Sequence, residues 1–182
     1  MKIKFIKRGY FTLFLIFIIA LFIDKNISYI LNSLRFGALN NLFIFLDKIS
    51  VWIITIIFVS LLLFLRNRKL VPKYLLSSLI TVIVKVVLKY IVARTRPYLV
   101  LEGITNLVDK NSYSFPSGHT IVYFASLPFL IKEYPKSKNL WILIGVLIGI
   151  SRIYLGVHYF SDVIVSVLIG LFIGNMFVNK KR

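Results

Sequence analysis

The sequence predicts an all-α polytopic membrane protein, a bundle of six transmembrane helices with both termini cytoplasmic. Three observations lead there. The 182-residue chain is 59% hydrophobic, with a mean hydropathy of +0.88, more apolar surface than a soluble domain of this size hides. Its apolar residues recur in long runs. Its basic residues gather between alternate runs.

Six apolar segments can be marked, at roughly 9–24, 49–65, 71–92, 117–134, 139–156 and 158–178. A span needs about 17–25 residues, so the first is short. The stretch 26–48 mixes apolar and polar residues and reads as an external loop or an interfacial helix. The start, "MKIKFIKRGYFTLFLIFIIALFIDK", has the basic and apolar regions of a signal peptide but no small-residue cleavage site. It reads as a retained first span. No linker or repeat divides the chain, which is expected to form a single membrane domain over 1–182.

The formal net charge of +17 at first suggests a nucleic-acid binder. Its distribution argues otherwise. Lys2, Lys4, Lys7 and Arg8 precede the first span. Arg66, Arg68, Lys69 and Lys73 separate the second from the third. Lys132, Lys136 and Lys138 separate the fourth from the fifth, and Lys180, Lys181 and Arg182 follow the sixth. With six spans all of these fall on one side, which marks that side as cytoplasmic. The charge is thus topology signal and attraction to anionic lipid, with no nucleic-acid partner expected. Lys25, Arg35, Lys48 and Lys110 read as solvated loop charge. Lys85 and Lys89 lie inside or at the outer end of the third segment, where a lysine either snorkels or faces a cavity.

The unusual polar residues converge on the opposite face. The third segment ends in "KYIVARTRP", Lys89 to Pro97; the fourth starts with "PSGH", Pro116 to His119; the fifth ends in Ser151-Arg152; the sixth starts with His158 and Asp162. His158 and Asp162, four apart, share a face if helical, where the carboxylate can fix the imidazole tautomer. Pro116-Ser117-Gly118 turns the chain into a helix start, which suits an anion. Lys89, Arg96 and Arg152 add donors that match phosphate oxygens. The competing reading, a metal site of two histidines and one carboxylate, is disfavoured by the neighbouring cations. The chain has no cysteine, so thiolate ligands and thiol nucleophiles are excluded. Ser117 reads equally as a helix cap. The pairs Gly145/Gly149 and Gly170/Gly174 read as helix packing, and Arg94 as solvent-facing.

These motifs resemble the signature of the type 2 phosphatidic acid phosphatase superfamily. That signature is lysine, six residues, Arg-Pro; then Pro-Ser-Gly-His; then Ser-Arg, five residues, His, three residues, Asp. Here it is met by Lys89 with Arg96-Pro97, by Pro116 to His119, and by Ser151-Arg152 with His158 and Asp162. The resemblance implies a metal-independent lipid phosphatase without a cofactor. His158 would be the nucleophile forming a phosphohistidine, Asp162 its orienting partner, and His119 the proton donor to the leaving oxygen. Lys89, Arg96, Ser117, Gly118 and Arg152 would hold the phosphoryl oxygens. It further implies a multi-pass protein of a bacterial plasma membrane with its site facing outward, acting on undecaprenyl diphosphate. Phosphatidylglycerophosphate, phosphatidic acid and lipid A phosphates are the alternative substrates. A lipid-phosphate binding or flipping protein and a vanadate-dependent oxidase are the readings from other classes. The loop 93–116 is the expected place for head-group selection, and the sequence assigns no oligomeric state.

Overall fold

The computed structural model describes the backbone of residues 2–48 and 51–178. Its regular structure among these residues is all helical, and the longest irregular stretch is 101–117. The helices are α1 (Lys2–Ser33), α2 (Gly37–Lys48), α3 (Val51–Arg66), α4 (Val71–Val92), the single turn α5 (Pro97–Val100), α6 (Gly118–Glu133), α7 (Lys138–Tyr154) and α8 (Phe160–Val178). Four stretches are long and apolar enough to cross a membrane: Tyr10–Ser33, Arg68–Val100, Pro135–Tyr154 and Phe160–Val178. The α3 helix is apolar but shorter, and α6 has 16 residues.

The α6 helix is the hub. It packs against α8, α3, α4 and α7, while α1 lies along α8 and α7. Small residues set these distances. A Cβ at Gly174 would lie 2.3 Å from the Ala125 carbonyl oxygen, and one at Gly170 2.6 Å from that of Ile121. The α8 backbone thus touches the α6 backbone, an approach only glycine permits. Gly145 meets Tyr123 and Phe124 of α6, and Gly149 meets Val163 of α8. Both glycine pairs therefore do the packing work expected of their spacing.

Large apolar side chains face outward on the outer helices, among them Phe22, Ile57, Leu65, Ile91 and Phe172. Ser77, Thr81, Ser126, Ser166, Arg152 and Asp162 are buried. Polar inside and apolar outside is the arrangement a lipid solvent favours.

The basic turns share one end of the bundle. Asn67 donates to Glu133, and Tyr134 to the Leu62 carbonyl, so the α3–α4 and α6–α7 turns meet. Lys132 reaches the last turn of α8 at the Val178 carbonyl, and Asn175 donates to Tyr10 of α1. The side chains of Lys2, Lys4, Lys7, Arg8 and Lys48, and residues Lys180, Lys181 and Arg182, lie outside the described residues.

Two expectations are corrected. The first helix does not end near residue 24; it runs on to Ser33. Asp24 and Ser28 look like the polar end of a span, but both are buried against the bundle. Tyr29 and Asn32 then continue the helix alongside the carbonyls of Glu102 and Gly103. Only 37–48 forms the separate helix. Second, Arg35 and Lys110 are not loose loop charges. Arg35 spans the Tyr154 carbonyl and both Thr105 oxygens, at 2.6–2.9 Å. Lys110 pairs with Asp47 at 2.7 Å.

Candidate active site

The site forms at the other end of the bundle, where α4 and α7 finish and α6 and α8 begin. Each element contributes for a local reason. Proline cannot continue a preceding helix and suits a first turn, so Pro116 and Pro97 punctuate the chain before α6 and at the start of α5. Gly156 turns the α7–α8 connection with φ +78, and a Cβ there would lie 2.3 Å from the Thr105 carbonyl oxygen. Only glycine fits that turn, and it delivers His158 and Asp162.

Asp162 sits in the first turn of α8 and is fully buried. One oxygen accepts the Tyr159 N–H at 2.9 Å and the Ser114 hydroxyl. The other accepts Arg94 Nη1 at 2.7 Å. His158 Nδ1 faces Asp162 Oδ2 at 3.7 Å, within ion-pair reach but longer than a hydrogen bond. The pairing does not come from a shared helical face, as the four-residue spacing suggested. The α8 helix starts at Phe160, and His158 stands in the turn before it. A carboxylate only accepts, so Nδ1 carries the proton and Nε2 is the bare nitrogen. Burial lowers the His158 pKa to about 4, although Asp162 pulls the other way. The imidazole is thus neutral at neutral pH, rather than poised at its ordinary value.

His119, in the first turn of α6, has the opposite arrangement. Its Nδ1 lies 3.4 Å from Arg152 Nη1. A guanidinium only donates, so Nδ1 accepts and Nε2 carries the proton. That Nε2 is buried without a partner. One histidine therefore offers a lone pair, and the other a proton.

Between them lies a cavity of about 320 Å3, lined by Lys89, Arg96, Gly118, His119, Arg152 and His158, together with Lys85, Lys110, Trp52, Ser112, Val86, Tyr90 and Val157. Backbone carbonyls aim the cations. Lys89 donates to the Tyr113 carbonyl at 2.6 Å; Arg96 donates to those of Ser112 and Val157, each at 2.6 Å. Arg152 is 2% exposed and pairs with Asp47 Oδ1 at 2.6 Å. His119 and Arg152 also wall an apolar recess of about 340 Å3, completed by Leu39, Leu42, Phe43, Ile144, Leu147 and Ile148.

Six of the eight residues singled out in the sequence thus line one cavity, and Asp162 stands directly behind His158. Ser117 is placed differently. It is fully buried, its hydroxyl is 2.9 Å from that of Thr120, and it makes no cap with its side chain. Its backbone N–H donates to Ser166.

Arg94 is a correction. It does not face solvent freely but bridges Asp162 and Asp24 of α1, at 2.7 Å each. Asp24 in turn accepts the Ser161 N–H and hydroxyl. Asp47 was also missed in the sequence. Burial pushes its carboxyl up, but Lys110 and Arg152 together hold it below the usual range. Both acids carry a signal that would have found them: Asp24 directly follows the long apolar run Leu13–Ile23 and Asp47 the shorter run Leu42–Leu46, where a charge needs a partner.

The comparisons with known proteins identify the family. The profile of the PAP2 superfamily, the type 2 phosphatidic acid phosphatases, matches residues 70–181. An undecaprenyl-diphosphatase of Sulfolobus acidocaldarius is 33% identical over 92% of this chain and 88% of its own. The crystal structure of a PAP2-type phosphatidylglycerolphosphate phosphatase from Bacillus subtilis superposes with TM-score 0.73 at 28% identity, covering 93% of this chain and 94% of that one. That of Aquifex aeolicus LpxE superposes with TM-score 0.76 at 26% identity, covering 87% and 96%. Other relatives are named as a phosphatidylglycerophosphatase and as lipid A phosphatases. The chain belongs to the PAP2 superfamily, and is a membrane lipid phosphatase that hydrolyses phosphate esters.

Proposed function

We propose that this phosphatase removes the terminal phosphate of undecaprenyl diphosphate at the outer membrane face, through a phosphohistidine on His158 and without a metal ion. The observation that carries the mechanism is the pair of opposite histidines about one cation-rich cavity. The His158 Nε2 lone pair attacks phosphorus as the bond to the leaving oxygen breaks. Phosphate oxygens draw the Arg152 guanidinium away from His119 Nδ1, which takes up a proton, and the resulting imidazolium gives its Nε2 proton to that oxygen. The now basic His119 takes a proton from water, whose oxygen attacks the phosphohistidine and releases phosphate with His158 restored. Asp162 stabilises the imidazole as it becomes positive. Lys89, Arg96, Arg152 and the first N–H groups of α6, near Gly118, hold the phosphoryl oxygens. Ser117 contributes through its place in this turn. The apolar recess beside His119 fits the lipid chain on the leaving side.

The topology proposed is one membrane domain in which α1, α3, α4, α6, α7 and α8 all cross the bilayer. The basic end is cytoplasmic, with both termini, and the cavity faces outward. The undecaprenyl relative, matched over most of both chains, supports the reading of that substrate.

The test is phosphate release in excess EDTA by wild type and His158→Ala. The substrates are undecaprenyl diphosphate, phosphatidylglycerophosphate, phosphatidic acid and a lipid A phosphate. Release by wild type alone, fastest on the diphosphate, is expected. Activity that needs added magnesium, or substantial turnover by folded His158→Ala, overturns the mechanism. A faster monophosphate lipid overturns the substrate. An acid-stable trapped phosphoenzyme would move the nucleophile to a serine.

A further inference from the structure

The chain has six acidic residues, and their placement makes its charge pairing legible. Glu133 meets Asn67 at the basic end, Asp109 meets Asn106 in the outer loop, and Glu102 is also in that loop. Asp24 and Asp162 share Arg94, and Asp47 serves both Lys110 and Arg152. No carboxylate meets Lys85, Lys89 or Arg96 among the described residues, which include all six acids.

The cavity is therefore lined by five cations, Lys85, Lys89, Arg96, Lys110 and Arg152; Asp47 offsets one charge, and the Asp24–Arg94–Asp162 group behind His158 offsets another, which leaves a surplus of three positive charges. A lipid monophosphate brings about −1.5 to −2, and a diphosphate about −3 by the same reckoning. The larger anion matches the surplus better.

Lys85 is the cation that the motifs leave unused. It lies one helical turn before Lys89 on α4, deeper in the bundle, and both line the cavity. Its ammonium sits 4.6 Å from the centroid of the Trp52 ring, an attraction that leaves its hydrogen-bonding capacity free. Its stem runs beside Gly118, where a Cβ would come within 3.2 Å of Lys85 Cδ. A snorkelling lysine would extend toward water along the helix surface; this one is turned into the cavity beside the start of α6.

We infer that Lys85 forms a second phosphate subsite, which holds the lipid-proximal phosphate of a diphosphate substrate while Lys89, Arg96 and Arg152 hold the terminal one. This rests on the diphosphate reading above. The terminal phosphorus faces His158 at the outer edge of the bundle. The inner phosphate, toward the bilayer, is the leaving group, and Lys85 stabilises the charge it gains as the bond breaks.

The experiment measures kcat/KM of the full-length enzyme on undecaprenyl diphosphate and undecaprenyl monophosphate, which share one chain. The proteins are wild type, Lys85→Met and Lys85→Arg. Losing a hydrogen bond to a charged group weakens binding by about ten- to a hundredfold. The expected result is a loss of that size by Lys85→Met on the diphosphate. The monophosphate should change by less than about threefold, on the scale of an exposed charge contact, and Lys85→Arg should recover most of the loss. Retained monophosphate turnover shows that the variant folds; inhibition by inorganic pyrophosphate relative to orthophosphate gives the same comparison without lipid. Equal losses on both substrates, or none on the diphosphate, overturn the subsite while leaving the diphosphate reading intact. A wild type without diphosphate preference overturns that reading and the subsite with it.

Discussion

Asp47→Asn isolates the electrostatics of the phosphate cradle. Arg152 and Asp47 are 2% and 6% exposed and 2.6 Å apart, so neither charge is relieved by bulk water. Lys110, the other partner, is 30% exposed and can turn outward. The cost of the substitution therefore falls on Arg152. It keeps Ser151 Oγ at 3.1 Å and the amide oxygen of the new asparagine, and loses the compensating charge. A charge-assisted hydrogen bond contributes about 1.5–3 kcal/mol, whereas outright removal of a buried partner costs about 3–5. With the amide retained, about 2–3 kcal/mol is expected. That lowers Tm by roughly 4–12 °C, at about 2–4 °C per kcal/mol for a chain of this length. Orthophosphate should reverse the effect, because its charge replaces the one removed and no longer competes with Asp47 for Arg152 and Lys110. A tenfold tighter orthophosphate Kd is about 1.4 kcal/mol, and at fixed phosphate it appears as a larger upward shift in the variant than in wild type. The assay is a thermal melt in detergent across an orthophosphate titration. A variant melting with wild type in the absence of phosphate, or equal phosphate shifts for both proteins, would refute the reasoning.

Two further outcomes are expected. Asp24→Asn removes a carboxylate that reaches Asp162 through Arg94, without bordering the cavity; it should lower kcat by about tenfold, on the scale of one charge-assisted bond, and leave KM near wild type. A KM rise at unchanged kcat would show that Asp24 acts on binding instead. His158, neutral in the fold with a pKa lowered to about 4, takes up its proton more readily when unfolded, near the ordinary value of about 6.5. The unfolded state binds more protons between these values, so acid destabilises wild type there. Relative to His158→Gln, which cannot take that proton, wild type should lose stability as pH falls from about 6.5 toward about 4; a gap constant over this window would show that His158 is not buried neutral.

What could be read from the sequence divides by range. The α4 helix, Val71–Val92, coincides with its apolar run, and α6, α7 and α8 begin or end within two residues of theirs. These boundaries are set locally, by proline, glycine and hydropathy. The motif cations and histidines were legible because a spacing rule brings them to helix ends at one face. What escaped is long-range. Asp47 and Arg152 are 105 positions apart, and Asp24 and Ser161 are 137 apart. A buried ion pair that joins α2 to α7, or a buried hydrogen bond that joins α1 to α8, leaves no period in either segment. The error over α1 has the same origin. Asp24 and Ser28 resemble the edge of a span because polarity alone does not distinguish residues facing water from residues facing an interior partner.

The two pairing systems divide the electrostatic work of the site. Behind His158, Arg94 lies between Asp24 and Asp162, so two carboxylates share one cation. That side carries surplus negative charge, which stabilises an imidazole becoming positive as its Nε2 bonds to phosphorus. Across the cavity, Asp47 lies between Lys110 and Arg152, so two cations share one carboxylate. That side carries surplus positive charge, which draws phosphate. The leaving oxygen gains negative charge on that side, where these cations stabilise it. Polarity thus runs across the cavity in the sense the reaction needs, acidic behind the nucleophile and basic behind the proton donor. Exchanging either arrangement for a neutral one should therefore impair a different step. Loss of Asp24 slows formation of the bond to His158. Loss of Asp47 changes how tightly phosphate is held and released.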